Sequence, residues 1–254
     1  MDWHDDGFIL SVRKHGETAA IVSLLTRERG RHLGLVRGGQ SRRRQGLLQP
    51  GNLVSATWRA RLPEHLGTLI LEPQRDLAAG VLDDPWRLMA LASMTALLEV
   101  TLAERDPHPV LFRDSVALAE KLAGSVTVPV GAAEPPPEWL AAYVRWELAL
   151  LRDLGFGLDL GSCAATGATE DLLYVSPRSG RAVSAAAGEP WRDRLLDLPP
   201  FLMEEGPPPR DIGDILRGLR LTGHFFERHH FAIQVAKSPA ARDRLIQALS
   251  REAK

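Results

Sequence analysis

Residues 8–36 read FILSVRKHGETAAIVSLLTRERGRHLGLV, and this stretch decides the fold of the N-terminal part. Phe8, Leu10 and Val12 follow a period of two, Gly16 turns the chain, and Ala20, Val22 and Leu24 repeat the period before the polar turn Arg27-Glu28-Arg29-Gly30. Side chains of an extended strand point alternately to its two faces, so this period predicts strands. Arg31–Val36 supplies a third strand, Val54, Ala56, Trp58 and Ala60 mark one face of a fourth, and Gly67–Leu71 makes a fifth. Five short strands punctuated by Gly, Asn and Pro predict a small closed barrel, OB-like or SH3-like, over residues 1–80.

After residue 80 the period lengthens to that of a helix. Asp84-Pro85 offers an N-cap followed by proline at the first helical position, which predicts a helix reaching about Glu104. Asp106-Pro107 opens a second, ended by Gly124, and Val126–Pro137, rich in Val, Ala, Gly and Pro, predicts an ordered connection. Trp139, Leu140, Val144, Leu148, Leu151 and Leu154 recur at spacings of three and four and predict a third helix, which Gly155 stops. The chain then reads as irregular to about Gly206. Asp211–His229 and Pro239–Glu252 follow as two more helices, the last capped by Ser238. The predicted class is α+β, a five-stranded barrel followed by an all-helical C-terminal domain over residues 81–254.

With 254 residues, 44% of them hydrophobic, the chain can bury a core without staples. Its single cysteine, Cys163, cannot form an internal disulfide, and fits a reducing compartment. The acidic start, Asp2 to Asp6, is unlike a basic signal peptide, and no apolar run approaches the ~20 residues that span a bilayer. A cytoplasmic, nucleoid-associated location is expected.

The net charge of −1 hides an uneven distribution. Residues 1–80 carry 12 Lys and Arg against 8 Asp and Glu, and residues 81–254 carry 19 against 24. Between 27 and 61 the contrast sharpens to Arg27, Arg29, Arg31, Arg37, Arg42, Arg43, Arg44, Arg59 and Arg61 against the one acid Glu28. Such a cluster repels itself in the absence of an anionic partner. The connection Arg37–Gly46 joins glycines to four of these arginines and is the expected nucleic-acid contact, with Thr57, Arg59 and Arg61 extending the charge onto the fourth strand. A merely solvated charged loop is the plainer alternative, but ordinary surfaces intersperse both signs.

The sequence holds no P-loop, nucleophile elbow, metalloprotease His-Glu-x-x-His or dinucleotide fingerprint. His224, Glu227, His229 and His230 form the best metal candidate, although histidines at a helix C-terminus are expected on dipole grounds alone. Asp5-Asp6 and Asp83-Asp84 resemble nuclease carboxylates, yet Asp84 is accounted for as a cap. Trp58 could stack on a base, but its spacing with Val54, Ala56 and Ala60 places it in the core. No enzyme activity and no cofactor are expected; a metal-dependent nuclease and an RNA-binding OB protein are the rival readings.

The run Gly16-Glu17-Thr18-x-x-Ile21-Val22-x-Leu24-Leu25-Thr26-x-Glu28-x-Gly30-Arg31, followed by Arg37-Gly38-Gly39-x-Ser41-Arg42-Arg43, Leu48-Gln49-Pro50-Gly51-Asn52, Leu66-Gly67 and Glu72, resembles the RecO family of DNA repair proteins. Arg145-x-Glu147-Leu148-x-Leu150-Leu151-x-x-Leu154-Gly155-Phe156-Gly157-Leu158-Asp159-Leu160 and Ser176-Pro177-x-Ser179-Gly180 extend the resemblance over most of the chain. It implies an N-terminal OB-fold, a helical C-terminal domain, and a non-enzymatic recombination mediator. Such a mediator binds single- and double-stranded DNA, anneals complementary strands, and with RecR helps load RecA onto strands coated by single-strand-binding protein. RecF is a further implied partner. Many members of that family carry a four-cysteine zinc knuckle; here Cys163 is followed at the expected spacing by Thr166, so the insertion at about 158–188 is a degenerate knuckle and no zinc is expected. The resemblance also implies capture of the acidic, apolar tail of single-strand-binding protein, for which Arg145 and Arg220 are the candidate contacts.

Overall fold

The computed structural model describes residues 1–62, 64–124, 137–232 and 238–253. The chain divides into two compact units, residues 1–131 with 239–245, and 132–238 with 246–254.

In the first unit, β1 (Asp2–His15), β2 (Ala19–Thr26), β3 (Gly30–Val36), β4 (Leu53–Arg59) and β5 (Thr68–Arg75) close a barrel in the order β1-β2-β3-β5-β4. All pairings are antiparallel except β3 with β5. Ile9, Ala20, Val22, Leu24, Val36, Val54, Ala56, Trp58, Leu69 and Leu71 fill it. The long strand β1 serves two neighbours: Asp2–Phe8 pairs with β4, and Gly7–His15 with β2.

One phase expectation fails on β1. Phe8, Leu10 and Val12 do not share a face, because the register slips between Ile9 and Ser11, so Ile9 and Val12 both face the barrel core. A bulge adds a residue to one strand and reverses its alternation from there on. Phe8 and Leu25, paired across β1 and β2, are fully buried yet stand outside the barrel core. Two helices cover that outer side: α2 (Pro85–Thr101) lies against β1 and α3 (Pro109–Gly124) against β2. The Asp84 carboxylate accepts from the amides of Trp86 and Arg87, with Pro85 opening the helix as expected. The next helix starts at Pro109, two residues beyond the expected Pro107.

In the second unit, α4 (Pro137–Asp153) packs along α6 (Ile212–Phe226). The connection expected at Val126–Pro137 falls on residues outside those described, save Pro137, the first residue of α4. Gly155 ends α4 with a φ of 87°. Between α4 and α6 lie β6 (Leu172–Val175), β7 (Ala182–Ser184), the short α5 (Ala185–Gly188) and β8 (Leu196–Asp197). The strands form a small sheet, β7-β6-β8, where the sequence reads as irregular; this part is therefore predominantly rather than wholly helical. The helix expected to reach His229 stops at Phe226 and passes into a π turn over Glu227–Phe231. The last helix, α7, spans Ala240–Glu252. No helix among the described residues is long and apolar enough to cross a membrane.

Asp214, 3% exposed at its side chain, sits one turn into α6, accepts from the backbone and guanidinium of Arg210, and pairs with Arg217. Burial alone would raise its pKa, but these donors outweigh burial and hold it at about 2. An Asp whose folded pKa lies below its unfolded value of about 3.9 stabilises the fold fully above that value and loses the contribution as pH falls through the folded one. Asp214→Asn should therefore lower unfolding free energy at pH 7 by about 1–3 kcal/mol, and the gap between variant and wild type in urea unfolding should close towards pH 2.

Candidate nucleic-acid interface

The segment that leaves β3 carries the largest share of the arginines, and the fold holds it at several points. The Gln40 Nε2 donates to the carbonyls of Gly16 and Ala19 at 2.9 and 2.8 Å, fixing the segment to the β1–β2 turn. A single helical turn, α1 (Arg42–Gln45), follows, and Leu48 drops into the barrel core. Asn52, 2% exposed, donates from Nδ2 to the carbonyls of Gly46 and Leu47 and accepts on Oδ1 from the Ala78 amide. Residues 37–52 thus form an ordered shelf. On it Arg37 and Arg42 are exposed and Arg44 half-buried, and none of the three has an ion pair among the described residues.

The strands decide which other arginines join this surface. Along β3, His32, Gly34 and Val36 face inward, and Arg31, Leu33 and Leu35 outward. Arg59 on β4 pairs with Thr68 on β5, and Thr68 with Leu35 on β3. Arg59 therefore lies two strands, about 10 Å, from Leu35, with Arg61 following it, while its neighbour Asp2 also lines the opening that holds Arg29. Asp2 approaches Arg59 only to 3.9 Å, and both are exposed, so this pair screens the charge weakly. Lys14, which the sequence reasoning passed over, lines a groove with Gly39, Gln40 and Gln45 and adds a cation beside the shelf.

Arg27, Arg29 and Arg31 stand apart, near the other end of β3, roughly 23 Å along a seven-residue strand. Arg27 is paired with Asp6 at 2.6 Å and lies over the Phe112 ring. Arg31 has to be withdrawn from the contact set. Its side chain is 14% exposed, its Nε donates to the Leu102 carbonyl at 2.9 Å, and Glu99 and Glu104 flank its guanidinium. It fastens the end of α2 to the barrel. Arg31→Ala should cost about 2–3 kcal/mol in urea unfolding by leaving those groups unmatched, while DNA affinity of the folded protein, read by fluorescence anisotropy, changes less than twofold.

The acidic and histidine candidates do not converge. Asp5 accepts from the amides of Asp6 and Glu28, and Asp6 from Arg27 and Gln74, so both shape the β2–β3 turn. His229 stacks between Phe156 and Phe225, whereas His224 meets the Pro177 carbonyl. Among the described residues no group of His, Cys, Asp and Glu is arranged to hold a metal. Cys163 is buried and its Sγ accepts from the Ser184 amide, with Gly167 and Ala168 closing the turn through backbone bonds to Cys163. The turn at Cys163 is thus shaped by hydrogen bonds. Trp58 is 2% exposed and donates from Nε1 to the Leu66 carbonyl, in the core as its spacing predicts.

Arg145 and Arg220 are not brought to one place. The Arg145 guanidinium donates twice to the Phe201 carbonyl and lies over that ring. Gly218 and Thr222 face α4, at Val144 and Glu147; Arg220 is two residues from each, about 200° round the helix, and so points away from α4.

The family described as Recombination protein O N terminal matches residues 1–72, and that described as Recombination protein O C terminal matches residues 82–238. The chain belongs to the RecO family. DNA repair protein RecO of Rhodospirillum centenum is 54% identical over 248 residues, covering 97% of this chain and 94% of that protein. The RecO proteins of Rhodospirillum rubrum and Rhizobium etli are 48% and 49% identical, covering 99% and 98% of this chain and 97% and 92% of theirs. The RecO N-terminal match ends within β5, so it covers the barrel up to Glu72 and the whole arginine shelf.

Proposed function

We propose that this RecO-family chain is a DNA-binding recombination mediator in DNA repair, acting without catalysis. It binds single- and double-stranded DNA, anneals complementary strands, and works with RecR, and with RecF where present, to load RecA on strands coated by single-strand-binding protein. The observation that carries this reading is the shelf after β3, where Arg37, Arg42 and Arg44 stand without ion pairs to described residues on a segment fixed to the barrel. Guanidinium groups held in place neutralise phosphates, release counterions and lower the repulsion between two strands that must meet. Tail capture from single-strand-binding protein would use Arg145 and Arg220 as separate contacts. Annealing of complementary oligonucleotides across a salt series, by wild type and by the variant with Arg42, Arg43 and Arg44 changed to alanine, tests the reading. Equal annealing by both proteins, or cutting of the strands with Mg²⁺ or Mn²⁺ present, overturns it.

A further inference from the structure

At one end of the barrel a cavity of about 630 Å³ opens among residues that the arginine shelf does not use. Its floor is aromatic. Trp3 stacks on Trp58 with ring centres 5.7 Å apart and planes 12° apart, and His32 meets the two edge-on at 5.0 and 5.9 Å. Trp58 is buried, whereas Trp3 is half-buried and fronts the opening. His32 is 7% exposed, and its Nδ1 has no hydrogen-bond partner among the described residues. Burial, then the charges of Arg105 and Arg29, keep this imidazole neutral at pH 7, with a pKa of about 4.

Arg29 and Arg105 stand on the wall. Arg29 is exposed and has no ion pair among the described residues. Arg105 arrives from the connection between α2 and α3 with a φ of 65°, a left-handed conformation that strains any residue with a Cβ. Its amide is bonded to the Arg31 carbonyl, and its guanidinium donates to the His65 carbonyl at 3.4 Å. Asp2 and Glu28 also line the opening, which disfavours a strand laid along it and suits a single nucleotide turned in from a strand that runs outside.

We propose that this cavity takes one unstacked nucleotide of a DNA strand, its base against Trp3 and His32 and its phosphate reaching Arg29 and Arg105. Aromatic rings accept any base by its face, and paired guanidinium groups match phosphate oxygens. The inference rests on the DNA-binding reading above and places on the barrel a second contact, distinct from the shelf. Its consequence is that one base is held out of the stack while its neighbours remain open to pairing.

The test uses the full chain and tryptophan fluorescence, titrated with a deoxynucleoside 5′-monophosphate, a linear single strand of twelve nucleotides and a circular single strand. Wild type should be quenched by both strands, and Arg105→Gly, which suits the left-handed backbone, should bind the linear strand at least fivefold more weakly without a lower melting temperature. Arg29→Ala should act in the same direction. Quenching by the monophosphate but by neither strand would mean a free-nucleotide site and overturn the proposal. Strands that bind without quenching, and equally to wild type and Arg105→Gly, would overturn it while leaving the DNA-binding reading intact. Failure of both strands to bind wild type would remove both.

Discussion

Changing Arg42, Arg43 and Arg44 together to alanine is expected to weaken binding of single-stranded DNA on the order of a hundredfold at moderate salt, and to slow annealing in step. Each phosphate contact with a single strand adds about 0.7 to the slope of log affinity against log salt, so loss of three should reduce that slope by about 2. A hundredfold is about 2.7 kcal/mol, or about 1 kcal/mol per contact, modest for charge-assisted bonds partly screened by water. The melting temperature should hold, because Gln40, Leu48 and Asn52 fix the shelf. Anisotropy titrations at four or more salt concentrations measure both quantities. An unchanged slope would show that these side chains do not meet phosphate.

Gly30→Ala should be the most damaging single substitution in the first unit. Gly30 has a φ of 69°, where a Cβ costs about 1–2 kcal/mol, and that Cβ would stand 2.0 Å from the backbone oxygen of Asp106. The nearest atoms all belong to the Asp106 backbone, which cannot swing aside as a side chain would. The connection after α2 must then lift from the barrel, and with it the bond from the Arg105 amide to the Arg31 carbonyl. A loss of about 4 kcal/mol is expected, read as a shift in the urea midpoint. Near wild-type stability would mean that residues 104–106 are not seated on the β2–β3 turn.

Strand positions and core are open to sequence reading because Ala20, Val22, Leu24, Val54, Ala56 and Trp58 keep a strict period of two, and a closed barrel admits only one phase per strand. The bulge at Leu10 was not legible, since Phe8, Ile9 and Leu10 are all apolar and the run carries no phase of its own. Arg31 misled for a related reason. A one-dimensional count gives it the same weight as Arg37, while its partners Glu99 and Glu104 lie some seventy residues on and become neighbours only once α2 docks. Arg105 was missed on the same ground: it belongs by number to the helical part, and the adjoining Asp106-Pro107 drew notice as a helix start. The strands of the small sheet, two to four residues long, are too short for any period to show.

One amide side chain, that of Asn52, ties together stretches of backbone at Gly46, Leu47 and Ala78. An incoming polynucleotide therefore meets groups whose positions were settled when the barrel folded, and little chain entropy is left to surrender at the moment of capture. Under the proposed function, release answers to the ionic atmosphere and not to the slow remaking of a loop, as the annealing of two strands requires.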